Sequence, residues 1–116
     1  MSKPRKSLKK PRQIAFVRQN GKCCYCHQPM WNANPTEYAE RHSLSPGRTS
    51  LMRCTGEHLI AHKDGGSSKV ENIAAACLFC NTQRHKLKND VTPEKFETYV
   101  LKRLHKGAWH GLKLTC

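Results

Sequence analysis

This chain has little from which to build a core. Only 37% of its 116 residues are apolar and 7% aromatic, and a globule of this length buries about two-thirds of its unfolded surface. Something besides packing must hold the fold together, either a disulfide set or a metal. No hydrophobic run approaches the ~20 residues of a membrane span, and the opening MSKPRKSLKKPRQ lacks the apolar segment of a secretory signal. Both absences predict a cytoplasmic protein with no membrane partner. Acids are scarce as well: eight Asp and Glu face 21 Lys and Arg, for a formal charge of +13. That imbalance points to a polyanionic partner, of which nucleic acid is the commonest.

Cysteine, by contrast, is abundant, with seven in the chain. In a reducing compartment paired cysteines are better read as metal ligands than as disulfides. Cys23 and Cys26 have the two-residue gap that lets both thiolates of one turn face an ion, and Cys77 and Cys80 repeat it. Two such pairs predict a structural Zn2+ site with four thiolates. Fifty residues separate the pairs, where simple zinc ribbons have about fifteen to twenty, so a functional insertion is expected between them. Cys24, Cys54 and Cys116 are left as ordinary thiols.

Residues 1–10 form a basic tail, expected to be disordered when free and to grip phosphate when nucleic acid is present. PRQIAFVRQNGK predicts a short helix stopped at Asn20-Gly21. Residues 31–50, with two prolines and many small polar residues, predict a loop with at most one helical turn around TEYAERH. LMRCTGEHLIA predicts a strand broken or bulged at Thr55-Gly56. ENIAAAC predicts a short return strand, with helix from Asn72 as a competitor because alanine is a poor strand former. Thr92-Pro93-Glu94 predicts a helix start, and Phe96, Tyr99, Val100, Leu101 and Leu104 follow at helical spacing as its packing face.

Between the cysteine pairs stand Glu57, His58 and Asn72, with Asn81 just after the second pair. A neutral imidazole suits proton abstraction from water near neutral pH, while a carboxylate and an amide oxygen suit a hard divalent cation. EHLIAHKDGG followed by ENIAAACLFCN, residues 57 to 86, resembles the motif of the HNH (ββα-metal) nucleases. GKCCYC resembles the knuckle of the family's zinc-containing branch, which extends the likeness to about residues 21 to 86. The resemblance implies a small α+β fold: a ββα-metal hairpin-helix core with a four-Cys zinc site, flanked by N- and C-terminal helices. It places an HNH domain at 11–110 (zinc knuckle 21–30, ββα motif 51–88, C-terminal helix 93–105) and a tail at 111–116.

Carried over residue by residue, the likeness makes His58 the general base and Asn72 its orienting partner. Glu57 and Asn81 become ligands of a catalytic Mg2+, Mn2+ or other divalent metal. Two departures stand out: the acid is Glu57 where the family more often has aspartate, and Asn81 makes this an H-N-N variant. His85, one turn beyond Asn81, and His62 are further candidates for ligation or phosphate contact. Lys63, Lys69, Arg84, Lys86 and Lys88, with Lys9, Lys10 and Arg12 from the N-terminal side, are candidate DNA contacts.

The expected function is therefore metal-dependent DNA endonuclease, phage or bacterial in origin. Phage packaging, restriction and homing partners all fit, and monomer and dimer stay open. A non-catalytic zinc-stabilised nucleic-acid-binding module is the alternative, but it leaves the ordered acid, histidine and asparagines unexplained. A finger made by Cys23, Cys26, His58 and His62 is excluded, because 31 residues between its halves far exceed the roughly dozen such fingers have.

Overall fold

A computed structural model describes residues 7–60, 65–87 and 91–114. Helix α1 (Lys9–Arg18) is followed by the cysteine knuckle, two short helices, α2 (Pro35–His42) and α3 (Pro46–Leu51), and strand β1 (Cys54–His58). A 3-10 turn at Val70–Asn72 leads into β2 (Ile73–Cys77), then α4 (Leu78–Lys86) and α5 (Pro93–His105). The expected small α+β architecture, a hairpin and helix flanked by terminal helices, is present.

The two strands pair antiparallel without interruption, Cys54 opposite Cys77 through His58 opposite Ile73. The bulge expected at Thr55-Gly56 is therefore absent, and the strand begins at Cys54 because Leu51 ends α3. Gly56 serves close packing instead: a Cβ there would lie 3.2 Å from Leu8 Cδ1. Since side chains alternate along a strand, Gly56 faces the α1 side while Thr55 and Glu57 face α4. The hairpin is thus held between two helices, and all five residues of β2 are buried. Alanine is tolerated in that strand because the close layers leave room for little else. The outer edge of β2 is closed by Gln19, whose side-chain amide donates to Ala75 O (2.9 Å) and accepts from Ala75 N (3.0 Å).

In the stretch 31–50 the helical turn expected around TEYAERH is the eight-residue helix α2, and α3 is a second helix where loop was expected. Its prolines start the helices. Pro35 and Pro46 occupy first-turn positions, where a missing N–H costs nothing, while Asn34 and Ser45 accept from the backbone N–H groups of Glu37 and Arg48. At the N-terminal side α1 begins at Lys9, so Lys9 and Lys10 stand on a helix inside the stretch read as a tail. Arg12, one of the candidate DNA contacts, is half-buried with its Nε unpartnered.

The C-terminal boundary also moves. Leu112 is 3% exposed, and the Gln28 side chain donates to Leu112 O and accepts from Leu114 N, both at 2.7 Å. Residues 111–114 are therefore packed against the knuckle, whereas a tail from 111 onward was expected. Helix α5 matches its expected span, with Thr92 accepting from Lys95 N as its cap and Phe96 and Val100 buried.

Candidate active site and metal centre

The cysteine pairs come together although fifty residues separate them. The knuckle after α1 turns through Asn20 and Gly21 at positive φ and again through His27 at φ 61°, which points Cys23 and Cys26 inward. The second pair sits at the start of α4, where the Cys80 backbone N–H donates to Cys77 Sγ (3.4 Å). The four sulfurs are buried and lie within 4.8 Å of one another. A tetrahedron of thiolates about 2.3 Å from zinc has edges of about 3.8 Å, and Cys26 and Cys77 stand at 4.0 Å. Burial disfavours the thiolate of Cys23, yet hydrogen bonds from Cys24, Cys26, Cys77 and Cys80 pull its pKa well below the usual value. Those same contacts with Cys23 and Cys26 push Cys77 and Cys80 upward. The pKa of Cys26 is lowered as well, to about 6, the opposing contact with Cys23 being outweighed by those with Cys77 and Cys80. A cluster of packed sulfurs that shares protons in this way is one a thiophilic dication completes. The donor set fits Zn2+, and Cys24 and Cys54 stay outside it.

The second site lies on the seam between β1 and α4. Asn81, Arg84 and His85 are three and four residues apart on one face of α4, and all three reach β1. Asn81 Nδ2 donates to Thr55 Oγ1 (2.9 Å) and to Gly56 O (3.2 Å), while the Thr55 hydroxyl donates to Ala76 O (2.7 Å). Gly56 O can only accept, and the Thr55 proton is already committed, so the amide nitrogen of Asn81 must face β1. Its Oδ1 is left buried with no hydrogen-bond donor. Thr55 was not among the expected site residues, and nothing in a strand-like threonine signals such a role.

Glu57 is 2% exposed. Its Oε1 lies 3.4 Å from Arg84 Nη1 and 3.8 Å from His85 Nε2, whereas Oε2 is buried without a partner. Burial pushes this carboxyl up to about 7, against the opposing pull of Arg84. Arg84 corrects the expectation of a DNA contact. Its guanidinium is largely buried and donates to Tyr25 Oη (2.8 Å), His58 O (3.2 Å), Leu59 O (3.4 Å) and Val91 O (3.0 Å). It is a hub that fixes the end of β1, with its donors turned inward.

His58 follows Glu57 on an unbulged strand, so the two side chains leave opposite faces. The His58 Nε2 lies 3.4 Å from Ser68 Oγ. Among the described hydrogen bonds, the Asn72 side chain holds backbone: it accepts from Ile60 N (2.8 Å) and donates to Ile60 O (3.0 Å) and Ser67 O (2.7 Å). Asn72 therefore bears on His58 through the chain on both sides, two residues beyond it at Ile60 and next to Ser68. His85 is exposed on the seam, and Lys9, Lys10, Lys69 and Lys86 are exposed. His62, Lys63 and Lys88 lie outside the described residues.

The family model for the HNH endonuclease matches residues 44–87. This segment is similar to an HNH domain. It spans α3, the hairpin and α4, and so contains the whole β1–α4 seam. The four-cysteine cluster is consistent with the zinc-containing branch. HNH domains act on nucleic acids, which agrees with the chain's positive charge. Anaredoxin from Nostoc sp. (strain PCC 7120 / SAG 25.82 / UTEX 2576) is 39% identical over 41 residues, covering 34% of this chain and 54% of that protein. The chain thus spans about half the length of the curated relative it matches. No solved structure shows a significant match. Among the described residues, no helix is long and apolar enough to cross a membrane.

Proposed function

We propose that the chain is a metal-dependent DNA endonuclease that hydrolyses phosphodiester bonds at the β1–α4 seam of its HNH domain. The observation that carries this reading is the pair of buried oxygens, Glu57 Oε2 and Asn81 Oδ1, left without donors on one seam. A buried acceptor with no partner costs about 1–3 kcal/mol, more when charged, and a hard cation relieves two such oxygens together. Glu57 and Asn81 would hold Mg2+, Mn2+ or another divalent ion, with Thr55 and Gly56 keeping the amide oxygen turned toward it. Such an ion supplies Lewis-acid stabilisation of charge on the scissile phosphate and the leaving 3′ oxygen. His58 is the last residue of β1, so a phosphate at the strand end can meet both faces of the strand. A ring nitrogen of the neutral imidazole would accept the proton of the attacking water. Asn72 keeps the segment flanking His58 closed, and Lys69 and Lys86, with Lys9 and Lys10 on α1, supply phosphate contacts.

One observation favours the alternative of a zinc-stabilised module that binds nucleic acid without cutting it: Arg84 already faces Glu57 Oε1, so half of the carboxylate is compensated without a cation. The two readings part on metal dependence. Asn81→Ala is expected to raise the Mg2+ or Mn2+ concentration for half-maximal plasmid cleavage about tenfold or more, the order seen when a metal's supporting groups are lost, while zinc content stays unchanged. An unaltered metal requirement removes Asn81 as a ligand. DNA binding by wild type with no cleavage at any metal concentration supports the non-catalytic module.

A further inference from the structure

The packed C-terminal segment has a chemistry that its sequence did not announce. Trp109 Nε1 donates to Cys80 Sγ at 3.3 Å. The backbone N–H groups of Tyr25 and Cys77 donate to Cys23 Sγ, and that of Cys80 to Cys77 Sγ. Among the described residues, Cys26 is the one sulfur of the four that receives no N–H within hydrogen-bond distance. Next to Trp109 stands His110, 9% exposed, with its Nδ1 accepting from Leu112 N (3.0 Å). That hydrogen bond puts the imidazole proton on Nε2, which is buried without a hydrogen-bond partner among the described residues.

We propose that Trp109 is an outer-shell positioning residue of the zinc centre, its ring N–H serving Cys80, and that the segment 109–114 is a cap controlling release of the ion. Four thiolates around Zn2+ carry a net charge of −2, which is costly in a buried site unless N–H dipoles surround it. The cap supplies one of those dipoles, the Trp109 N–H, from outside residues 44–87. Its attachments lead back to the same centre. Phe79, between Cys77 and Cys80, packs edge-on against Trp109 at 5.1 Å and against His110 at 5.6 Å. Gln28, two residues after Cys26, holds the backbone of Leu112 and Leu114. A segment so anchored can close only over a formed knuckle, so zinc occupancy and order at the C-terminal segment are coupled. This inference rests on the four-cysteine assignment and is independent of the nuclease reading.

Trp109→Phe keeps the aromatic packing with Phe79, Phe96 and Tyr99 and deletes the N–H. In the full chain it is expected to weaken zinc about tenfold or more in competition with a chromogenic chelator, to speed zinc release, and to shift the thiolate-to-metal absorption of the Co2+-substituted protein. Loss of packing alone would leave that absorption unmoved. In a Trp31→Phe background, stripping zinc is expected to move Trp109 emission to the red as the cap opens. Unchanged affinity, release and cobalt spectrum in Trp109→Phe, or emission indifferent to zinc removal, would overturn the cap. A wild-type chain that binds neither zinc nor cobalt would overturn the centre as well.

Discussion

Cys77→Ser is expected to leave a chain that neither holds zinc nor folds cooperatively. Structural zinc contributes on the order of 10 kcal/mol or more of apparent binding free energy in small domains, about as much as the whole stability of a typical domain. Few chains would feel the loss more, because the four ligands form much of this core: Cys23, Cys26, Cys77 and Cys80 are each 2% exposed or less. Cys77 is also the last residue of β2 and the cap of α4, so one substitution frays the ββα unit where strand meets helix. Zinc content by metal analysis and thermal melting check this. A variant that melts like wild type, with its full complement of zinc, would mean the four sulfurs are packed thiols and nothing more.

The second large effect is expected at Arg84. Arg84→Met preserves the aliphatic bulk of the side chain and removes the guanidinium. Glu57 then remains buried without its charge partner, and the carbonyls of His58, Leu59 and Val91 lose a donor. Breaking a buried pair by removing one partner costs about 3–5 kcal/mol, which denaturant unfolding of the zinc-loaded protein would read. Adding Glu57→Gln should recover part of the loss, because the buried carboxyl that Arg84 faced goes with it. Equal unfolding midpoints for wild type and Arg84→Met would contradict the hub, and a deficit confined to DNA affinity would return Arg84 to the phosphate contact first expected.

Those two sites also mark what the sequence discloses and what it conceals. The cysteine pairs and the acid-histidine, asparagine and cysteine-asparagine order are legible because metal chemistry fixes residue type and spacing along the chain. Helix α5 was legible through its cap and apolar period. Pro35 and Pro46 misled because a proline that ends one element can begin the next, and only the capping hydrogen bonds of Asn34 and Ser45 distinguish the cases. Gly56 was read as a bend, but close packing against Leu8 explains it equally well, and sequence alone does not reveal the neighbour. Arg84 stood among surface-like lysines, and its burial follows from the tertiary position of Glu57. Trp109 contacts Cys80 across 29 positions of chain, a pairing no local pattern encodes.

Thr55 shows the same limit on a smaller scale. Its hydroxyl decides which end of the Asn81 amide faces the seam, yet along the chain it is a β-branched residue in a strand, where such residues are common for packing reasons alone. Asn81 was legible as a candidate ligand, whereas the group that turns it was not.

On the proposed reading the HNH-like segment cuts DNA with His58 as base and a divalent cation on the seam. Incubating supercoiled plasmid with the zinc-loaded protein, with and without Mg2+ or Mn2+, beside a His58→Ala protein of matched zinc content and DNA affinity, tests it most directly. The wild type is expected to convert the plasmid to nicked or linear DNA only with the metal, and the variant to lose about 10²-fold or more of that rate, the usual scale for a general base. Cleavage that persists undiminished in His58→Ala, or two proteins that bind the plasmid and leave it intact, would contradict it.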